Sequence, residues 1–281
     1  MPTLYIVGTP IGNLEDLTPR AARILAEVSL VAAEDTRVTR RLLSHLGIHP
    51  RTTSFHQHNW RDKLDGVLAE LDEGDVALVT DAGMPGISDP GSELVAAAAL
   101  AGFKVEVVPG PSAVTAALAL SGFAGDAFLF LGFLPRRKKD RLAGLREASS
   151  SAIPLVLFEA PHRLRATLAD LNTTFGERPL TVCRELTKLH EEVFRGTAEE
   201  ALEHFDSPRG EVVIVIQGRT AETGEADEDE ACAGEDLRRM LSEMRQEGVR
   251  AKDAVAQVAE ITGLAKNRVY QVWVELGRES G

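Results

Sequence analysis

The sequence predicts two α/β domains followed by a small helical module, and three observations predict it. Over the first 110 of the 281 residues, short apolar runs alternate with segments of helical period, the pattern of a mostly parallel sheet covered on both faces. A stiff Val108-Pro109-Gly110-Pro111 connection then opens a second set of strands and helices. Beyond a strongly acidic stretch, three short amphipathic segments close the chain.

Each element follows from its local pattern. Leu4–Val7, Leu30–Ala33, Thr52–Phe55, Val76–Val79 and Lys104–Val108 read as strands, being short and rich in branched residues. Pro19–Glu27, Thr36–Leu46, Arg61–Leu71 and Ser92–Ala101 read as the helices between them. A helix at Ser112–Ser121 follows the prolines, with Ser112 as its N-cap. Ala127–Leu131, Leu155–Phe158, Thr181–Arg184, His190–Arg195 and Glu211–Ile216 read as the second strand set, in a mixed sheet. Helices at Lys138–Ala148, His162–Phe175 and Ala198–His204 are interspersed. Ala221–Asp236 has too few apolar residues to pack and reads as a solvated linker. Leu237–Gln246, Ala251–Ile261 and Lys266–Leu276 read as the three final helices. The expected organisation is therefore 1–110, 111–220, an acidic linker 221–236 and a helical module 237–281.

Composition narrows the function classes. The longest apolar runs, Leu94–Ala101 and Val212–Ile216, fall well short of the roughly 20 residues of a membrane span. Met1–Val7 lacks the charged n-region of a signal peptide. The two cysteines, Cys183 and Cys232, have no metal-ligand spacing around them, which fits a reducing, cytoplasmic setting. His56-Gln57-His58 is an isolated pair in a loop, so no metal site is expected. No phosphate-binding G-x-x-x-x-G-K-[ST] loop is present. The net charge of −12 speaks against a nucleic-acid partner until its distribution is considered: eight acidic residues lie in 221–236, and −4 remains without them.

The informative segments are the loops that leave strand ends, where open α/β sheets bind ligands. The first is Gly8-Thr9-Pro10-Ile11-Gly12-Asn13, a tight turn that lets backbone approach a ligand. The second, Thr80-Asp81-Ala82-Gly83-Met84-Pro85-Gly86-Ile87-Ser88-Asp89-Pro90-Gly91, has small residues against which a flat nucleoside can lie. Its Asp81 is placed to accept from a ribose or an amine. Pro109-Gly110-Pro111-Ser112-Ala113 offers N–H groups at a helix start. Leu157-Phe158-Glu159-Ala160-Pro161-His162-Arg163 brings two candidate acid–base groups, Glu159 and His162, and an arginine suited to phosphate. A plainer reading pairs Glu159 with Arg163 and leaves His162 as a first-turn residue. Arg184-Glu185 ends the next strand, and its plainer reading is a surface ion pair.

Together with Ala33-Glu34-Asp35-Thr36-Arg37, these loops occur in an order that resembles the 16S rRNA (cytidine 2′-O) methyltransferases of the tetrapyrrole-methylase-like superfamily. The resemblance runs from about Thr3 to Gly218, with a recognisable helical tail. It implies two α/β domains of the class III methyltransferase type, S-adenosylmethionine as cofactor, and a homodimer. It also implies a 30S ribosomal subunit substrate, with the 2′-hydroxyl of the cytidine at rRNA position 1402 as acceptor. Carried onto this chain, cofactor contacts fall on Pro10, Asp81, Ala82, Gly83, Ile87, Ser112 and Ala113, and further on Leu131, Phe158, Glu159, Glu185 and Gln217. Candidates for taking the hydroxyl proton are Glu159, Glu185, Asp35 and His162, with no metal required. RNA phosphates are expected on Arg37, Arg40 and Arg41, on Arg136-Arg137-Lys138-Lys139 with Arg141, and on Arg163. Lys252, Lys266, Asn267 and Arg268 make the tail either a further RNA-binding module or a packing bundle. Two other readings stand beside this one: a methylase of a corrin or porphyrin precursor, and a DNA-binding regulator whose tail is a helix-turn-helix. Five cofactor-like loops and the Arg136–Arg141 cluster favour the RNA methylase.

Overall fold

Strands β1 (Thr3–Val7), β2 (Leu30–Ala33), β3 (Arg51–Ser54), β4 (Val76–Val79) and β5 (Lys104–Val108) pair in parallel in the order β3-β2-β4-β1-β5. The computed structural model describes residues 1–87, 91–123, 125–219, 237–245, 249, 251–262, 269, 270, 272, 273 and 276. All residues of β2 and β4 are buried, because helices cover both faces and leave no solvated side to require polar alternation. On one face Val7, Val31, Ala77 and Val79 pack against α1 (Pro19–Glu27) and α2 (Thr36–His45). On the other, Leu4, Ile6, Val76 and Leu78 pack against α3 (Trp60–Glu73) and α4 (Ser92–Leu100). The helix starts obey local chemistry: Thr18 accepts from the Ala21 N–H ahead of Pro19, and Asp35 accepts from the Arg37 N–H. The order places β1 and β4 side by side at the centre, so the loops leaving their carboxyl ends are neighbours.

The second sheet is mixed, in the order β6-β7-β10-β8-β9, from β6 (Leu129–Phe133), β7 (Leu155–Glu159), β8 (Leu180–Arg184), β9 (Glu192–Gly196) and β10 (Val212–Ile216). Its central strand β10 reads VVIVI, is buried throughout, and runs antiparallel to both neighbours. Leu155, Leu157, Val182, Ile214 and Ile216 face α6 (Lys138–Ser149), α7 (Leu164–Phe175) and α8 (Ala198–His204). Val156, Cys183, Val213 and Val215 face α5 (Ala113–Ser121), in a cluster that also takes in Ile11 and Ala82 from the first half. That shared cluster joins the two halves. Both sheets lie in one compact unit, Met1–Arg219, and the change from one sheet to the other falls between β5 and β6.

Several element ends differ from the sequence expectation for local reasons. β6 extends to Phe133 rather than ending at Leu131, through a bulge between Phe130 and Gly132 that leaves Leu131 unpaired, with Gly132 at φ 62°. β9 begins at Glu192 rather than His190, because the preceding residues are held in a turn by Thr187 N–H donating to Glu191 at 2.6 Å. The helix expected from His162 starts as a 3-10 turn, Pro161–Arg163, before α7. Ser112 sits at the N-cap of α5, but its side chain makes no capping bond.

The second unit, Thr220–Gly281, contains the helix Ala251–Thr262 and helical residues at 237–245. Leu241, Ala254, Val258 and Val269 are its buried centre. Arg245 lies 5.1 Å from the Trp273 ring centroid and donates to its carbonyl at 3.0 Å. The acidic segment 221–236, Cys232, Ser88, Asp89, Pro90, Gly263, Lys266, Asn267 and Arg268 lie outside the described residues, as does the side chain of Lys252. No helix among the described residues is long and apolar enough to cross a membrane, and those residues form no cluster suited to a metal ion.

One basic residue of the 136–141 run has a structural position instead of a surface one. Arg141 is buried against Asp170, with Nε 2.7 Å and Nη2 2.6 Å from the carboxylate, and it ties α6 to α7. The sequence does not separate it from its exposed neighbours, because helical phase alone turns it inward. Removing one partner of a buried pair leaves an uncompensated charge, so Asp170→Ala is expected to cost about 3–5 kcal/mol in urea unfolding. Lys139→Ala, on the exposed face, should leave the unfolding midpoint nearly unchanged.

Candidate active site

Backbone contacts between loops build the site. Gly8 N–H donates to the Val108 carbonyl at 3.0 Å, and Thr9 and Gly83 exchange two hydrogen bonds of 2.9 and 3.1 Å. Thr9 Oγ1 adds a bond to the Thr80 carbonyl at 3.1 Å. A Cβ on Gly8 would lie 2.7 Å from both Gly110 Cα and Met84 Sδ, so three loops meet where only hydrogen is tolerated. Gly83 has φ 81°, a left-handed conformation that turns its N–H back onto Thr9.

Between these loops and the second sheet lies a cavity of about 400 Å³. Asp81, Ala82, Gly83, Ile87, Ser112, Ala113, Phe158 and Glu159 all line it. Pro10 lines an adjoining cavity of about 270 Å³. Leu131 and Gln217 line neither: Leu131 packs against the core below, and Gln217 N–H is bonded to the Pro179 carbonyl at 2.9 Å. Residues without an assigned role complete the larger cavity, among them Glu34, Met84, Phe133, Cys183, Leu186 and Glu211. Most are apolar or lie at strand ends, and only the pairing of the sheets shows which strand ends meet. Burial pushes the Cys183 thiol up to about 11, so it serves as wall and not as nucleophile.

The polar end of the cavity is acidic and interlinked. Glu34 accepts from Thr80 Oγ1 at 2.6 Å and from Asp81 N–H at 3.3 Å. Asp81 accepts from Asp35 N–H at 3.1 Å. Partial burial, then the Glu34 charge, raise the Asp81 pKa above the ordinary carboxylate value. Asp35 is the opposite case: its hydrogen bonds with the Arg37 side chain and N–H hold its pKa well below the usual range. Arg37 therefore meets a carboxylate at 2.6 Å while remaining exposed.

Glu159 is fully buried. Its Oε2 accepts from Thr167 at 2.5 Å, and its Oε1 accepts from Ala160 N–H at 2.8 Å and pairs with Arg163 at 3.2 Å. Arg163 in turn donates to the Leu134 carbonyl at 2.8 Å. The plainer reading of this pair holds, and Arg163 is turned inward rather than toward RNA. His162 is exposed and lines neither cavity. Glu185 does not pair with Arg184, which bonds Glu192 at 2.7 Å. It accepts instead from Lys188 and from Glu211 N–H, both at 2.9 Å. Arg40, Arg41, Arg136, Arg137, Lys138 and Lys139 are exposed, and Arg41 lines the smaller cavity.

Comparison with known proteins follows the same division of the chain. The family model of Tetrapyrrole (Corrin/Porphyrin) Methylases matches residues 3–202, and that of the RsmI C-terminal HTH domain matches residues 231–277. Ribosomal RNA small subunit methyltransferase I of Synechocystis sp. is 46% identical over 280 residues, 98% of this chain and 99% of the relative. The protein of the same name from Thermotoga maritima is 48% identical over 222 residues, 78% of this chain and 100% of the relative. Among solved structures, uroporphyrin-III-C-methyltransferase from Thermus thermophilus shares the fold at TM-score 0.54 and 23% identity, covering 76% of this chain and 94% of that one. The methyltransferase CobJ does so at 0.58 and 21%, covering 78% and 95%.

Two expectations follow from the geometry. Gly8→Ala must displace Gly110 or Met84, so ligand binding in the larger cavity should weaken about tenfold or more in calorimetry with S-adenosylhomocysteine. Asp81 carries a raised pKa, so its ionised form disfavours the folded state, and that penalty disappears as pH falls below the unfolded value of about 4. Asp81→Asn should therefore raise the melting temperature of the ligand-free protein at pH 7. The gain should shrink toward zero as the melt is repeated at decreasing pH.

Proposed function

The chain belongs to the tetrapyrrole methylase family, in the branch of ribosomal RNA small subunit methyltransferase I, and we propose that its acceptor is the 2′-hydroxyl of the cytidine at 16S rRNA position 1402. The enzyme uses S-adenosylmethionine to methylate small-subunit rRNA. The observation that carries the site assignment is the meeting of the Gly8–Asn13, Thr80–Ile87 and Gly110–Ala113 loops around one cavity, opposite the Phe158–Pro161 segment.

The larger cavity suits this cofactor. Its volume lies within the roughly 300–1,000 Å³ of small-molecule sites. Ile11, Met84, Ile87, Phe158 and Val213 offer an apolar bed for a purine, while Glu34, Asp81 and Glu211 surround the polar side with negative charge suited to a sulfonium and an ammonium. Asp81 and the uncapped hydroxyl of Ser112 would hold ribose or amine groups, and the Gly83 and Ala113 backbone would hold the base. When bound, the cofactor supplies a methyl group already activated for attack. The chain's own task is to exclude water, orient the acceptor and receive one proton.

Glu159 and Asp35 are the less suited to that proton among the four candidates. Both oxygens of Glu159 are committed to Thr167, Ala160 and Arg163, and both oxygens of Asp35 to Arg37. They position loops. Glu185 reaches the site through Lys188. Exposed Arg40, Arg41, Arg136, Arg137, Lys138 and Lys139 would meet RNA phosphates, with residues 1–110 and 111–220 as two lobes. A homodimer is the proposed assembly, supported by exposed Val107 on β5 and exposed Leu129 and Phe133 on β6, the outer strands of the two sheets. A cytoplasmic location fits this substrate.

The test is transfer of labelled methyl to unmodified 30S subunits, with mass mapping of the product. Label is expected on a ribose 2′-oxygen at position 1402. In Asp81→Ala, loss of a charge-assisted bond worth about 1.5–3 kcal/mol should weaken cofactor binding by about ten- to a hundredfold. Cofactor binding without transfer to any ribosomal particle would move the acceptor to a small molecule.

A further inference from the structure

The smaller cavity, about 270 Å³, shares a wall with the larger one: Ile11, Thr80, Asp81, Ala82 and Glu211 line both. On its far side the chemistry changes. Arg41 and Lys188 are its two cations, and Val38, Leu42 and Leu14 give it an apolar face. Arg41 pairs with no carboxylate among the described residues. A basic edge, an apolar face and a size near the lower end of ligand sites suit one nucleotide.

Lys188 stands in a turn held by force of its surroundings. Glu185 and Thr187 have φ of 53° and 67°, left-handed conformations that cost side-chain-bearing residues of order 1–3 kcal/mol and persist only where the structure imposes them. The first half imposes them here: Asn13 N–H donates to Thr187 Oγ1 at 2.9 Å, and a Cβ on Gly12 would lie 2.5 Å from Lys188 Cγ. Lys188 Nζ then sits 2.9 Å from Glu185 Oε1 and 2.9 Å from Glu211 Oε2. Glu185 Oε1 also accepts from Glu211 N–H at 2.9 Å, fixing the start of β10. Burial pulls the Lys188 pKa down, but its bonds to Glu211 and Glu185 outweigh this and raise it, so the group is an ammonium. Glu211 remains the most open member, its side chain 72% exposed where the cavities join.

We propose that the smaller cavity seats the acceptor nucleotide, with its phosphate on Arg41, and that Glu211 takes the proton of the acceptor hydroxyl while Lys188 positions Glu211. The inference rests on the rRNA methylation reading and assigns its missing base. As the hydroxyl proton passes to a Glu211 carboxylate oxygen, the O–H electron pair forms the new C–O bond. The C–S pair of the methyl donor stays on sulfur, leaving a neutral thioether. Lys188 keeps its proton, and Glu185 anchors it.

Three variants test this in the full-length chain, using 30S subunits for turnover and a donor-free 16S hairpin for binding by fluorescence anisotropy. Glu211→Gln should lower kcat by about a hundredfold or more, with KM for the subunit changed less than about threefold and a much smaller loss in S-adenosylhomocysteine affinity by calorimetry. Lys188→Met should lower kcat while Lys188→Arg restores most of it, a rescue that loss of packing alone would not give. Arg41→Ala should weaken hairpin binding by about tenfold and flatten its salt dependence by about one phosphate. Glu211→Gln keeping a third or more of the wild-type kcat overturns the base assignment. Arg41→Ala that binds the hairpin as tightly as wild type overturns the subsite. Wild-type enzyme that binds S-adenosylhomocysteine but methylates no ribosomal particle overturns the rRNA reading itself, and this inference with it.

Discussion

The Gly8–Gly110 contact, locked by the Thr9–Gly83 bridge, is the constraint on which the site depends. β4, β1 and β5 are neighbours in the first sheet, and their outgoing loops would collide if Gly8 or Gly110 carried a side chain at the crossing. With hydrogen at Gly8 and Gly110, the backbones touch directly. The loops then form one wall of the cavity, and the second sheet closes over it through Ile11, Ala82 and the α5 face.

Charge is arranged with the same economy. A protein of net charge −12 holds its negative groups where a cationic donor is to be bound, with Glu34, Asp81 and Glu211 on one cavity. Its exposed cations lie outside that cavity, at Arg40 and Arg41 and along Arg136–Lys139. Buried pairs such as Arg141–Asp170 and Arg163–Glu159 belong to neither group. They secure α6, α7 and the Phe158 segment, and their charges are spent on each other. Net charge therefore says little here about partner choice, and the placement of each charge says more.

The unit holding both sheets ends at Arg219. Every described residue that lines either cavity lies in that unit. The described residues of the tail have their own buried centre around Leu241 and Val258.

Strand and helix positions were legible because buried parallel strands and amphipathic helices write their periods directly into the chain: β2, β4, β5, α1 and α8 have the ends their patterns indicate. Loop chemistry was legible where glycine and proline cluster, at Gly8–Asn13 and after Val79. Helical phase and strand pairing were not. Arg141 and Lys139 look alike in the sequence, yet one is buried and the other exposed. Lys188 and Glu211 are separated by 23 positions and carry no motif; only the antiparallel pairing of β8 with β10, and the turn forced against Gly12, place them 2.9 Å apart at the join of two cavities. The sequence by itself determined the elements and the ligand-facing loops, since these depend on local period and backbone freedom. Which charged groups meet was decided by tertiary structure, because a hydrogen bond acts over about 3 Å, while distance along the chain does not restrict which strands pair.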